Sequence, residues 1–527
     1  MFRSILFLGL CSTIIASCKK DDLQEAEFGR RFSPGTVQSS AGQTQLKLEW
    51  NPSLYADTNV TYLVELSKTP DFATIDYSVT VDTAGAVITD QHIQIRTPYY
   101  VRIRANGNDK IEASKWIVSA EPVQISGAQI IQPITSEDLT ARTVKLKWTA
   151  PGAVTHLMIG STRYDISPAE ASVGEKTISG LLPETEYTVV IYNNALERGT
   201  RTFTTLADLP QGPNVIVVAP TDNLASMIAN ATNGTTFVLL RGSKYTSDTE
   251  IVIPNGVSFT IWGQGGGSKP VLAFNGLKLP ATAGTIKFEG VDITGYENDA
   301  GVVKRAYLFN QSVPTATSQI IFENCVVRNF ANTPLRIQNS NPAGTVVIDN
   351  FIANNCIVHD IGDNGTNGTY AFVHVNSTTV GSKVNNITIT NSTFSKIGYS
   401  LVIHNTSPSL SLTIENNTFY NVIGNGRYLI DYNAQTISAF TFKNNIIGKT
   451  LSPANSARGV RYSGGNISSS NNYKTSDAII SANPIPNVTD YNKTSSEVFT
   501  APDSGNFLIK DSTFPGRADA GDPRWRP

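Results

Sequence analysis

The chain has 527 residues, too many for one hydrophobic core and enough for about three domains. Its formal charge is −2 and only 16% of its side chains are charged, which excludes an electrostatic attraction to nucleic acid. Low charge with abundant Asn, Thr, Ser and Gly points to an extracellular β-rich protein, since charged helix-forming runs are nearly absent.

Residues 1–17 read as a signal peptide. Arg3 supplies a short positive start, and the apolar run from Ile5 to Ile15 is too short to span a membrane. The run ends in Ile15-Ala16-Ser17-Cys18, which resembles a bacterial lipobox. That resemblance implies lipid attachment at Cys18 and an anchor in the outer membrane. The following Lys19-Lys20-Asp21-Asp22 resembles the export signal of surface lipoproteins in glycan-foraging, Bacteroidetes-like Gram-negative bacteria, and implies a face toward the cell exterior. Residues 18–36 are polar and aperiodic, as a lipidated tether would be.

Residues 37–125 and 128–208 each carry short alternating strands with an early Trp and a late Tyr, the pattern of a β-sandwich. The first unit contains Leu46 to Trp50, Tyr62 to Leu66 and Tyr99 to Arg104, with Trp50 and Tyr100 as the two markers. The second contains Val144 to Trp148 and the run Leu182-Pro183 to Tyr187. It resembles a fibronectin type III domain, which implies Trp148 as a core residue and Tyr187 as the corner tyrosine. Both units are expected to act as spacers.

Residues 213–527 open with a strand at Val215 to Val218 and a single short helix across 222–230, with Thr221 or Asp222 as its N-cap. One phrase then recurs: alternating apolar residues, a polar residue, then Asn or Gly. The recurring residue is Gly290, Asn324, Asn355, Asn391, Asn416, Asn444 and Asn471, at steps of 34, 31, 36, 25, 28 and 27. A strand-bearing repeat near that period means stacked coils. Asn suits the bend because it tolerates left-handed backbone, and stacked Asn side chains are expected to hydrogen-bond along the axis. The apolar residue after the bend (Ile293, Val327, Val358, Phe394, Phe419, Ile447) is expected to face inward. The order of strand, capping helix and repeats resembles pectate-lyase-like right-handed parallel β-helices. The fold class is therefore all-β: two fibronectin type III-like sandwiches followed by a right-handed parallel β-helix with a short N-terminal capping helix. Cys325 and Cys356 each follow a repeat Asn, so they would stack about 4.8 Å apart. A disulfide and a reduced pair both remain open.

A second recurring strand carries the unusual residues. Arg336, His374, His404, Asp431, Tyr432, Arg461 and Tyr462 lie within it, and Tyr370, Tyr399, Arg427, Tyr428 and Arg458 lie at or just before its start. Arg and aromatic residues interleaved on adjacent rows suit an acidic sugar chain, with rings against pyranose faces and guanidinium against carboxylate. Glycan-binding candidates are Arg336, Tyr370, His374, Tyr399, His404, Arg427, Tyr432, Arg458 and Arg461, with His374 expected to point inward. If the chain were instead a polysaccharide lyase, Arg336, His404 and Tyr399 would be its candidate bases. Stacked Glu289 and Glu323 would then be the acids to hold Ca²⁺; otherwise no cofactor is expected. The acidic and Arg motifs of pectate lyases are absent. Anchor, spacers and solenoid together resemble surface glycan-binding lipoproteins that work beside a starch-utilisation-type importer. That resemblance implies a non-catalytic binder of an acidic polysaccharide, pectin-like or alginate-like, with a lyase or a passive scaffold or adhesin as the alternatives.

Overall fold

The computed structural model describes residues 29–150, 153–296, 305–338, 340, 344–362, 368–451 and 456–527. The signal peptide, Cys18 and the start of the tether lie outside the described residues. The chain divides into two compact units. One holds most of residues 29–203, and the other holds residues 204–527 with two short segments, Thr135–Lys145 and Ile178–Thr185.

In the first sandwich a three-stranded antiparallel sheet (Gln38–Ala41, Gln45–Glu49, Gly85–Thr89) accompanies a four-stranded one (Tyr77–Val81, Tyr62–Ser67, Tyr100–Ala105, Ile117–Val118). Alternation places Leu46, Leu48, Val64, Leu66, Val101 and Ile103 in the core around Trp50. The late tyrosine is Tyr99, not Tyr100. Tyr99 is buried and its hydroxyl accepts from Gln94 N at 3.1 Å, whereas Tyr100 begins the next strand half-exposed. The second sandwich pairs Thr162–Asp165, His156–Ile159, Glu186–Asn193 and Leu196–Thr204 in one sheet and Thr143–Lys147 with Glu175–Ser179 in another. Trp148 is buried there, and Tyr187 stacks on Phe203 at 5.7 Å.

The larger unit is a parallel β-helix with three strands per coil. The first face runs from Val215–Val218 through Thr235–Leu239, Phe259–Gly263, Thr282–Glu289, Thr315–Glu323, Val346–Asn354 and Lys383–Thr390 to Ser409–Glu415. A ten-stranded second face includes Asp292–Thr294, Val326–Phe330, Ile357–Ile361, Thr393–Ile397 and Thr418–Val422. The third face stacks Tyr307–Gln311, Thr333–Ile337, Val373–Val375, Val402–His404, the first half of the long strand Tyr428–Lys443, and Arg458–Ser463. The second half of that long strand continues the first face. Inside, Phe288, Phe322, Phe351, Phe372, Phe394 and Phe419 form a staircase with ring centroids 5.2–5.8 Å apart. Each such pair contributes about 0.5–1.5 kcal/mol beyond the area it buries.

The entrance helix spans Leu224–Ala229 and is capped by Asn223, whose side chain accepts from Ser226 N. Asp222 instead accepts from Ala219 N in the preceding turn, so the cap lies one residue later than the sequence suggested. Leu224 and Ile228 bury the helix face against the open end of the solenoid, and Tyr245 ties the first strand by donating to Val218 O at 2.9 Å.

The repeat Asn does adopt left-handed backbone, with φ between 51° and 57° at Asn324, Asn355, Asn391, Asn416, Asn444 and Asn471. The axial hydrogen-bond ladder, however, belongs chiefly to the residue that follows it. Cys356 N donates to Ser392 Oγ, Ser392 N to Asn417 Oδ1, Asn417 N to Asn445 Oδ1 and Asn445 N to Asn472 Oδ1, all at 2.9–3.0 Å. Their side-chain amides donate to Ile389, Ile414 and Phe442 carbonyls. Strand pleat explains the split: the bend residue turns outward, and its neighbour is thrown into the interior where its polar atoms need partners. Several bend residues are held from outside by cations. Lys269 donates to Asn324, Arg524 to Asn355 and Arg526 to Asn416. Cys325 and Cys356 occupy the same inward column as free, buried thiols, and each Sγ donates to a carbonyl of the preceding coil.

Candidate functional site

The third face carries one outward row in register: Asn310, Arg336, His374, Ile403, Asp431 and Arg461. Alternate positions Leu335, Val373, Val402 and Ile430 face the core. Tyr370, Tyr399 and Arg427 precede three successive strands of this face by equivalent distances and overhang the row.

These side chains touch in sequence along the axis. The Arg336 guanidinium lies 5.6 Å from the Tyr307 ring and 5.0 Å from Tyr370, and Nη1 donates to Tyr307 Oη at 2.9 Å. Tyr307 meets Tyr370 edge-on at 5.7 Å. Tyr370 and Tyr399 flank His374 at 5.0 and 6.3 Å. Arg427 lies 4.1 Å over Tyr399. Arg458 and Arg461 lie 5.3 and 4.5 Å from Tyr428, and Arg458 Nη1 donates to Tyr428 Oη. Among the described residues, four guanidiniums thus share the face with one carboxylate, Asp431, which Arg461 grips through two bonds at 2.8 and 2.7 Å. That grip holds the Arg461 pKa up, ahead of any effect of burial. Among the described residues, Arg336, Arg427 and Arg458 have no carboxylate partner. Partial burial, followed by the bond to Tyr370, raises the Tyr307 phenol.

Three sequence expectations need correction. His404 and Tyr432 cannot meet a ligand, because both are fully buried on the inward register. They stack at 4.9 Å, and His404 donates from Nδ1 to Ser407 O and accepts Val384 N on Nε2. Both ring nitrogens are therefore spent on backbone, and burial pushes the imidazole down to about 4. The same facts remove His404 as a candidate base. His374 faces outward, not inward, beside Arg336, but Tyr370 and Tyr399 roof it to 6% exposure. Burial, then the Arg336 charge, lowers its pKa to about 4. Glu289 and Glu323 do stack on neighbouring coils, yet Glu289 pairs with Lys287 and both oxygens of Glu323 accept from Asn354. Among the described residues no group of three His, Cys, Asp or Glu stands together as a cation site would need.

Tyr307 and Asn376, both partners of Arg336, were missed from sequence. The signal for Tyr307 was present, since Tyr307–Gln311 is an earlier copy of the third-face strand.

Residues 412–525 match a family model described as a domain of unknown function, DUF5123. No curated protein matches the chain. Among solved structures, the chain is similar to the FN1-FN3 domains of chicken CNTN1 at 18% identity, over 34% of this chain and 69% of that one, with a TM-score of 0.16. It is similar to a two-domain fibronectin type III segment of chicken tenascin at 15% identity, over 33% and 99%, with a TM-score of 0.18. The chicken interferon gamma receptor alpha chain is similar at 12% identity, over 33% and 98%, with a TM-score of 0.17. At these scores the likeness carries no argument of its own, and the sandwich assignment rests on the strand pairing described above.

Proposed function

We propose that this protein is a surface-anchored lipoprotein that binds an acidic polysaccharide along the third face of its β-helix without cleaving it. The observation that carries the reading is the run of Arg336, Arg427 and Arg458 guanidiniums, free of carboxylates among the described residues, interleaved with Tyr370, Tyr399 and Tyr428. Coils about 4.8 Å apart repeat on the scale of one sugar residue, so a polymer lying along the axis meets a ring or a cation at successive units. A guanidinium takes a uronate carboxylate bidentately, and a tyrosine ring offers an apolar face to a pyranose. Non-catalytic binding is favoured over β-elimination because the histidine best placed by sequence, His404, is sealed in the core with both nitrogens engaged. In this proposal Cys18 carries the lipid, the outer membrane is the site of attachment, and an importer of the starch-utilisation type receives the glycan.

Affinity electrophoresis of the purified protein in gels containing polygalacturonate or alginate tests the binding. Parallel absorbance assays for unsaturated product, with and without Ca²⁺, test for lyase activity. Retardation without absorbance is the expected result. Absorbance that disappears in Arg336→Ala or Tyr399→Phe would replace the binder with a lyase. Metabolic labelling with a fatty-acid analogue, lost in Cys18→Ala, tests the anchor.

A further inference from the structure

A second constellation lies on another face of the solenoid. The outward row of the second face reads Arg328, His359, Ser395 and Tyr420 on successive strands. His359 and Ser395 are register partners, so their Cα atoms are about one strand spacing, ~4.8 Å, apart. Asp360 follows His359 in left-handed backbone with φ 55°, which turns its carboxylate back onto the ring, and Oδ2 lies 2.6 Å from His359 Nδ1. An Nδ1–H donated to that carboxylate leaves Nε2 as the basic nitrogen.

His359, Asp360 and Ser395 line a cleft of about 330 Å³. Its opposite wall is the turn Pro502 to Gly505 of the C-terminal hairpin, and Tyr420 anchors that wall by donating to Asp503 Oδ1 at 2.5 Å. Among the described residues the Ser395 hydroxyl has no hydrogen-bond partner, although neighbouring polar side chains such as Arg328 and Tyr420 are engaged. Ile357 and Phe507 give the cleft an apolar floor, and exposed Lys396 brings a cation to its rim.

We infer that this cleft is an esterase site for small acyl esters, with Ser395 as nucleophile, His359 as general base and Asp360 as the residue that positions the imidazole. In the first step Ser395 Oγ attacks the ester carbonyl, a C–O bond forms to the serine, and its proton passes to His359 Nε2. Lys396, which lines the cleft, is the cation this proposal offers to the negative charge that gathers on the carbonyl oxygen. Collapse breaks the bond to the alcohol, which leaves with the proton from His359. Water then repeats the sequence and releases the acid, so no oxidant, reductant or cofactor is consumed. Contacts between nucleophile and base are commonly long before substrate binds, and among the described residues no other hydrogen bond holds the Ser395 hydroxyl away from its register partner His359. The activity is separate from the glycan face and does not depend on it.

The test treats the full protein with a fluorophosphonate probe, maps the adduct, and follows hydrolysis of 4-nitrophenyl acetate. The expected result is an adduct on Ser395 and turnover lost in Ser395→Ala. His359→Gln should lower kcat by about a hundredfold or more. Asp360→Asn should lower kcat while leaving KM within about twofold, the split expected when the base is present but no longer held in place. An adduct elsewhere, or a Ser395→Ala variant that hydrolyses at the parent rate, overturns the inference. Should Ser395→Ala melt early, His359→Gln with unchanged melting and unchanged turnover overturns it equally. Retardation by polygalacturonate should be the same in all these variants, so failure here leaves the binding reading untouched.

Discussion

Asn445→Ala should open the centre of the β-helix. Asn445 is fully buried, and its Oδ1 accepts both Asn417 N at 3.0 Å and Asn417 Nδ2 at 3.2 Å. Its Nδ2 donates to Ile414 O at 2.9 Å and to Asn472 Oδ1 at 3.1 Å. Truncation orphans the Asn417 N–H in a dry interior, which costs about 1–3 kcal/mol, and the lost bond to Ile414 adds about 1 kcal/mol. The sum of about 2–4 kcal/mol speeds exchange roughly 30- to 700-fold at the Asn417 and Asn445 amides, provided opening stays local. Asn444→Gly, one residue earlier, is the control. Glycine accepts φ of 54° without strain, and the cost should stay within about 1 kcal/mol. Native-state hydrogen exchange read at peptide level distinguishes the two. If Asn444→Gly loosened this region more than Asn445→Ala, the ladder would lie in the wrong column and the account of the repeat would fail.

Burial holds His374 and His404 near pKa 4, below the ~6.5 of an unfolded histidine. Between those values the unfolded chain binds protons that the fold refuses. Stability should therefore be full above about pH 6.5 and fall toward pH 4 by at most about 3 kcal/mol per residue, then level off. Melting followed from pH 4 to 7 checks this, and His374→Gln should flatten the curve. Arg524→Ala removes the C-terminal clasp on Asn355 and strips the buried Asp522 of its ion-pair partner. A loss of about 3 kcal/mol is expected, read as earlier urea unfolding of the solenoid. Cys325 and Cys356 should resist alkylation in the native protein and react fully after denaturation, because burial holds the Cys356 thiol well above its ordinary pKa. Rapid native labelling mapped to either residue would contradict their inward register.

The solenoid was legible because its repeat is carried by backbone demands that sequence displays directly: an Asn or Gly at each bend and an apolar residue three places on. Ile293, Val327, Val358, Phe394, Phe419 and Ile447 are all buried as the period required. What the period could not supply was the phase of the second recurring strand. His374 and His404 occupy adjacent register positions of one repeated strand, so alternation sets them on opposite faces without saying which face is buried. Contacts made across long sequence separations were also invisible. The Arg524 clasp on Asn355 joins residues 169 positions apart, and the His359–Ser395 pairing appears only once register is fixed. Tyr99 was missed in favour of Tyr100 for the same reason, since alternation gives the two faces but not which one is buried.

The proposed glycan face depends on Arg336, Arg427 and Arg458 reading the carboxylates of a uronate polymer. Binding of polygalacturonate to the parent protein and to the triple Arg→Ala variant, titrated calorimetrically at several salt concentrations, tests it most directly. The account predicts affinity that falls with salt in the parent and is lost in the variant, with no binding of the methyl-esterified polymer by either. Equal affinity for the charged and esterified polymers, or a triple variant that binds like the parent, would contradict it.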